Sequence, residues 1–120
     1  MARILIVDDS KTSRRILKNI LTEYGHELVG EGTNGQEGFD LYRKLKPDIV
    51  TLDITMPVMD GVEALKKIIE FDPQAKVIMV TAAGQRDNVM TAIKAGAFEF
   101  VTKPFDEVLI KNVLTKALEQ

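Results

Sequence analysis

With 120 residues and a net charge of −2, from 16 basic and 18 acidic side chains, the chain is sized for one domain. Its 45% apolar and 28% charged content excludes disorder, and area scaling lets about two-thirds of the unfolded surface be buried without a staple. The absence of cysteine and the single histidine exclude disulfides, thiolate zinc sites, cysteine nucleophiles and any site needing two imidazoles.

Ile4-Leu5-Ile6-Val7 is a continuous apolar run, the pattern of a strand buried on both faces. Leu17, Ile20, Leu21 and Tyr24 then recur at helical spacing until Gly25 stops them. His26 is expected at the surface, starting a weaker second strand marked by Leu28 and Val29 near a sheet edge. A second helical stripe, Gly38, Leu41, Tyr42 and Leu45, ends before Pro47. Ile49-Val50-Thr51-Leu52 is the third strand, and Val62, Leu65, Ile68 and Ile69 form a helix closed by Pro73. Val77-Ile78-Met79-Val80 precedes a fourth stripe, Val89, Ala92 and Ile93, closed by Gly96. Phe98-Glu99-Phe100-Val101 and the stripe Ile110, Leu114, Ala117 and Leu118 complete the series.

Five strand–helix repeats predict an α/β fold: a doubly wound parallel sheet of five strands with helices on both faces, one domain over residues 1–120. The longest stretch without Asp, Glu, Lys or Arg is the nine residues Val77–Gln85, against the ~20 apolar residues that a membrane span needs. Ile4–Val7 is too short for a signal-peptide core, and a near-neutral chain lacks the basic face that nucleic acid requires. A cytoplasmic location with no membrane or nucleic-acid partner is the expectation.

In open parallel sheets, ligands bind beyond the carboxyl ends of the strands. The residues expected just after each strand are Asp8 (with Asp9), Glu31, Asp53, Thr81 and Lys103 (with Pro104). If the first and third strands are neighbours, their carboxylates lie ~5 Å apart and repel by about 3 kcal/mol. Three such groups call for a cation, and oxygen-only ligands select magnesium or manganese over zinc. A metal, an ammonium, a hydroxyl and a carboxylate free to attack suit phosphoryl transfer through an acyl phosphate.

The segments Asp8-Asp9, Asp53-Ile54-Thr55-Met56-Pro57-Val58-Met59-Asp60-Gly61, Thr81-Ala82-Ala83 and Lys103-Pro104-Phe105 resemble the signature of the receiver domain of bacterial two-component response regulators. Asp8 through Leu17 and Ala83-Gly84-Gln85 are similar to the chemotaxis-type, single-domain members. The resemblance runs from Arg3 to about Leu118. It implies a flavodoxin-like sheet of order 2-1-3-4-5, with Asp53 as phosphoacceptor. Asp9 and Asp53 would bind Mg2+ (or Mn2+) directly with the backbone carbonyl of Thr55, and Asp8 mainly through water. Lys103 would pair with the phosphoryl group, the Thr81 hydroxyl would hydrogen-bond it, and the Lys103–Pro104 bond would be cis.

The same resemblance implies a sensor histidine kinase as phosphodonor, a phosphatase as a further partner and a downstream protein. That protein would be the flagellar motor switch if the role is chemotaxis. The molecule would act as a monomeric switch that catalyses only its own phosphorylation and dephosphorylation. Thr81 swinging toward the phosphoryl group would let Phe100 rotate inward; many relatives carry Tyr there. Phe100, Thr102, Met90, Leu109 and Val113 are the expected output patch. Ala83 and Thr55 flank the rim, at positions that in the family influence phosphoryl loss. Gly61 is expected to supply a turn conformation that a Cβ would obstruct.

Two alternative functions remain. The chain could be the receiver of a multidomain, for example transcriptional, regulator. It could instead be a magnesium-dependent aspartyl phosphatase, which normally has a second carboxylate two residues past its nucleophile, where Thr55 stands. Gly30-Glu31-Gly32-Thr33-Asn34-Gly35 matches a dinucleotide-binding pattern, but that reading leaves Asp8, Asp9, Thr81 and Lys103 unexplained.

Overall fold

The computed structural model describes residues 1–82 and 84–119 and contains ten alternating elements. They are β1 (Arg3–Val7), α1 (Lys11–Glu23), β2 (Glu27–Gly32), α2 (Gly35–Leu45), β3 (Ile49–Asp53), α3 (Gly61–Phe71), β4 (Val77–Thr81), α4 (Arg86–Ala95), β5 (Glu99–Thr102) and α5 (Glu107–Leu118). The strands are parallel and ordered 2-1-3-4-5. This is the doubly wound, flavodoxin-like sheet that the alternation and the resemblance imply.

Successive strand residues point to opposite faces, so the continuous apolar runs feed two cores. Leu5, Val7, Val50, Leu52, Val77 and Met79 pack with residues of α2, α3 and α4. Ile4, Ile6, Ile49, Ile78, Val80 and Val101 pack with α1 and α5. Every residue of β3 and β4 is buried, which fixes the strand ends that carry the chemistry.

Side-chain caps place four of the helix starts. Ser10, Asn34, Asp60 and Asp106 each accept a hydrogen bond from a backbone N–H three residues on, satisfying a donor the helix leaves free. The α3 start is held further by Gly61, whose N–H donates to the Ile54 carbonyl at 2.7 Å. A Cβ there would lie 2.0 Å from the Asp53 carbonyl oxygen. Gly61 therefore serves a close approach of helix to strand. The left-handed residue of this loop is the exposed Val58, at φ 68°.

Several sequence expectations need correction. β2 is longer than Leu28 and Val29 suggested: Glu31 lies inside it, and Asp53 and Thr81 are the last residues of their strands. His26 precedes β2 and is half-buried; its Nδ1 accepts from the Ala2 N–H at 3.0 Å. Gly30 and Gly32 of the glycine-rich run belong to β2, and Gly35 opens α2 where a Cβ would meet the Met59 carbonyl at 2.4 Å. Close approach of the α2 start to the β3–α3 loop accounts for that glycine.

In the last two helices Ile110, Leu114, Ala117 and Ala92 are buried as expected, but one residue of each stripe is exposed. Val113, expected on the output patch, is 6% exposed within the α1–α5 core, whereas Leu118 and Ile93, assigned to core stripes, are 42% and 50% exposed. On α5, apolar side chains cover so much of the circumference that spacing alone leaves the phase open. The buried set Ile110, Val113, Leu114 and Ala117 is the i, i+3, i+4, i+7 face.

Candidate functional site

The neighbouring ends of β1, β3, β4 and β5 bring the expected residues to one rim. Asp8 follows β1, Asp53 ends β3, Thr81 ends β4 and Lys103 follows β5. Asp8, Asp53 and Thr81 are buried, while Asp9 is exposed. One carboxylate oxygen from each of Asp8, Asp9 and Asp53 falls within 4.8 Å of the others.

Local bonds hold these groups in place. Asp8 Oδ1 accepts from the Ser10 N–H at 2.8 Å, and its carbonyl accepts from Arg14 Nη1 at 2.9 Å. Arg14, which no sequence motif singles out, also pairs with Glu31 at 3.1 Å. It thus ties the first turn of α1 to β2. The Lys103 ammonium reaches across the site to Asp8 Oδ2 at 3.1 Å and Asp53 Oδ2 at 3.4 Å. The Lys103–Pro104 bond is cis.

The electrostatics are those of an under-neutralised anion cluster. Burial, then the Asp8 charge, push the Asp53 carboxyl up to about 6, against the opposing pull of Lys103. Burial works against the Lys103 charge, but the Asp8 and Asp53 carboxylates outweigh it and raise its pKa. Three carboxylates face one ammonium, so a single divalent ion would balance the charge. The donors are all oxygens, as a hard cation requires. Asp8, Asp9 and Asp53 are the groups available to hold it.

Further groups lie at the β4 end and in the β3–α3 and β4–α4 loops. The Thr81 hydroxyl donates to the Ala82 carbonyl at 3.2 Å. The Thr55 hydroxyl accepts from Gln85 Nε2, and Gln85 Oε1 accepts from the Ala82 N–H at 2.7 Å. The role of Gln85 was missed; its signal in the sequence is a glutamine where a helix start would favour Ser, Thr, Asp or Asn. Ala83 lies outside the described residues.

A family model for the response regulator receiver domain matches residues 4–115. The chain belongs to the response regulator receiver family. This receiver is 51% identical over 114 residues to the chemotaxis protein CheY of Thermotoga maritima, covering 95% of each chain. It is 50% identical over 117 residues to CheY of Listeria monocytogenes, covering 98% of each. Among solved structures, a CheX–CheY–BeF3–Mg complex from Borrelia burgdorferi contains a chain matched with a TM-score of 0.91 and 37% identity, over 97% of this receiver and 88% of that chain. The receiver is thus closely related to the CheY proteins.

At the β5 end of the sheet, α4 covers one face and α5 the other. Met90, Ile93, Val108 and Leu109 are exposed there. Phe100 is half-buried against the α2–α4 core, and Thr102 is exposed. Of the residues expected on the output patch, Met90, Thr102 and Leu109 are exposed, Phe100 is half-buried and Val113 is buried, while Ile93 and Val108 are exposed on the same two helices. Among the described residues, no helix is long and apolar enough to cross a membrane.

Proposed function

We propose that the receiver is a phosphorylation-activated switch of the chemotaxis type, with Asp53 as phosphoacceptor. The observation that carries this reading is the buried Asp53 carboxylate at the end of β3, beside two further carboxylates and facing the Lys103 ammonium. An Asp53 oxygen attacks phosphorus on a phosphohistidine of a sensor kinase. The new O–P bond forms as the donor N–P bond breaks, and the imidazole leaves with the electron pair. With its pKa at about 6, Asp53 is mostly ionised at neutral pH and able to attack.

Asp8, Asp9, Asp53 and the Thr55 carbonyl would hold Mg2+, with Mn2+ as a substitute. A bound divalent ion supplies positive charge against the phosphoryl oxygens. Lys103 already lies between Asp8 and Asp53, placed to pair with those oxygens. Thr81 can exchange its bond to the Ala82 carbonyl for one to the phosphoryl group. Phe100 then repacks beside β5, and the face formed by α4, β5 and α5 changes for its partner. The protein works in the cytoplasm without turning over a metabolite. Its output partner is a flagellar motor switch component, and a phosphatase resets it.

Incubation with acetyl phosphate and magnesium tests the reading. The expected result is one phosphoryl group per chain, mapped to Asp53 and absent from Asp53→Asn. Sustained turnover of phosphate esters without that stoichiometric adduct would overturn it.

A further inference from the structure

Successive residues of an extended strand turn their N–H and C=O groups alternately toward the two neighbouring strands. On β4, the Val80 carbonyl faces β3 and accepts from the Ile54 N–H at 3.0 Å. The Thr81 carbonyl faces β5 and accepts from the Lys103 N–H at 2.8 Å. The next N–H, on Ala82, therefore turns back toward β3. There β3 has ended at Asp53, and the ladder offers no carbonyl. A strong backbone donor is left beside the end of the Asp53 strand.

That donor is taken by a side chain. Gln85 Oε1 accepts from the Ala82 N–H at 2.7 Å, while Nε2 of the same carboxamide donates to Thr55 Oγ1. One planar amide thus joins the β3–α3 loop to the β4–α4 loop. Gln85 is also the N-cap residue of α4 and makes no capping bond there. The caps of the other four helices each bond their own first turn. The side chain at the α4 start is committed to the rim instead.

We propose that Gln85 is a positioning residue of the phosphoryl site. It is a latch that occupies the Ala82 N–H while Asp53 is free and gives that donor up when Asp53 carries a phosphoryl group. The proposal rests on Asp53 being the phosphoacceptor. A phosphoryl oxygen carries charge that a neutral carboxamide oxygen lacks, so it is the stronger acceptor and wins the exchange. Because the carboxamide is one rigid plane, losing Ala82 also disturbs the bond to Thr55. The two loops part, and the element freed at its first turn is α4, whose one buried residue is Ala92.

The test uses beryllofluoride with magnesium as the phosphoryl mimic, the Ala82 amide resonance as reporter and thermal melting as the folding control. In the unmodified protein the Ala82 resonance shifts on loading. In Gln85→Ala the unloaded Ala82 amide loses its bonded shift and exchanges faster. That variant binds the mimic roughly three- to ten-fold more tightly, the worth of one neutral hydrogen bond no longer competing. Gln85→Glu keeps an acceptor and sets a negative charge against the incoming anion, so it binds at least about three-fold more weakly. Gln85→Asn, a methylene short of the bridge but still polar, tightens binding in the same direction as alanine, which separates the latch from a loss of folding. Thr55→Val tightens binding by less and adds nothing to Gln85→Ala. Affinities of Gln85→Ala and Gln85→Asn within about two-fold of the parent, or an Ala82 amide that ignores position 85, would overturn the latch. A parent protein that takes up neither beryllofluoride nor acetyl phosphate at Asp53 would overturn the phosphoacceptor reading instead.

Discussion

Helices α3 and α4 are neighbours on the same face of the sheet, yet they are attached to it in different ways. α3 buries Gly61, Val62, Ala64, Leu65 and Ile68, and its start is held by the Asp60 cap and by the bond from Gly61 to Ile54. α4 buries Ala92 alone, exposes Met90 and Ile93 by half, and has no side-chain cap. α3 begins eight residues after Asp53 and α4 five residues after Thr81, at adjacent strand ends of the same rim. An event at Asp53 thus meets one helix with five buried residues and a capped start, and another with one buried residue and an uncapped start. Motion is expected in the second, because few buried apolar contacts mean a low cost of local opening.

The largest effect should come from paired truncations. Leu65→Ala on α3 is expected to cost about 2–5 kcal/mol in urea unfolding, whereas Ile93→Ala on α4 stays within about 0.5 kcal/mol. Similar losses at the two positions would break the comparison.

Charge at the rim gives the next effect. The folded pKa of Asp53, about 6, lies above its unfolded value near ~4. The folded protein therefore holds this proton more tightly, and stability falls as pH rises from ~4 through ~6. Asp53→Asn should then stabilise the metal-free protein at pH 8 by up to roughly 2 kcal/mol, a gain that fades as pH approaches ~4. Denaturant melts across this range, with and without magnesium, check it. Amide exchange should show the gain in the global opening of β3 and α3, with little change in the local opening of α4.

Removing the α3 cap with Asp60→Ala should cost about 1 kcal/mol. Exchange at the first turn of α3 should rise toward the level of α4, which reads the capping difference directly.

The smallest effect is a stabilisation. Among the described residues, the Thr51 hydroxyl is the buried side-chain polar atom without a partner. Thr51→Val, nearly isosteric, should raise stability by about 1 kcal/mol on the anchored side without altering α4 exchange. A loss on substitution would point to a partner for that hydroxyl.

Much of this is legible in the amino-acid sequence. The β-branched runs at Ile4–Val7, Ile49–Leu52 and Val77–Val80 announced buried parallel strands, because a strand covered on both faces needs apolar side chains at every position. Strand ends then located Asp8, Asp53, Thr81 and Lys103 on one rim, since parallel strands all finish on the same side. The outer helices were less legible. Val113 and Ile93 exchanged their expected environments because α4 and α5 carry apolar residues around more than one face, and neither spacing nor composition says which face meets the sheet.

The sequence by itself therefore determined the five-fold strand–helix alternation, the acidic rim and the chemistry that oxygen ligands and an ammonium permit, because these depend on residue type and local period. Tertiary structure alone decided that Lys103 bridges Asp8 and Asp53, that Gly61 packs against the Asp53 carbonyl and that Gln85 spans two loops to Thr55. Those contacts join residues 3 to 95 positions apart in the chain. Most pair groups distant along the chain, and their distances are set by how the sheet orders its strands.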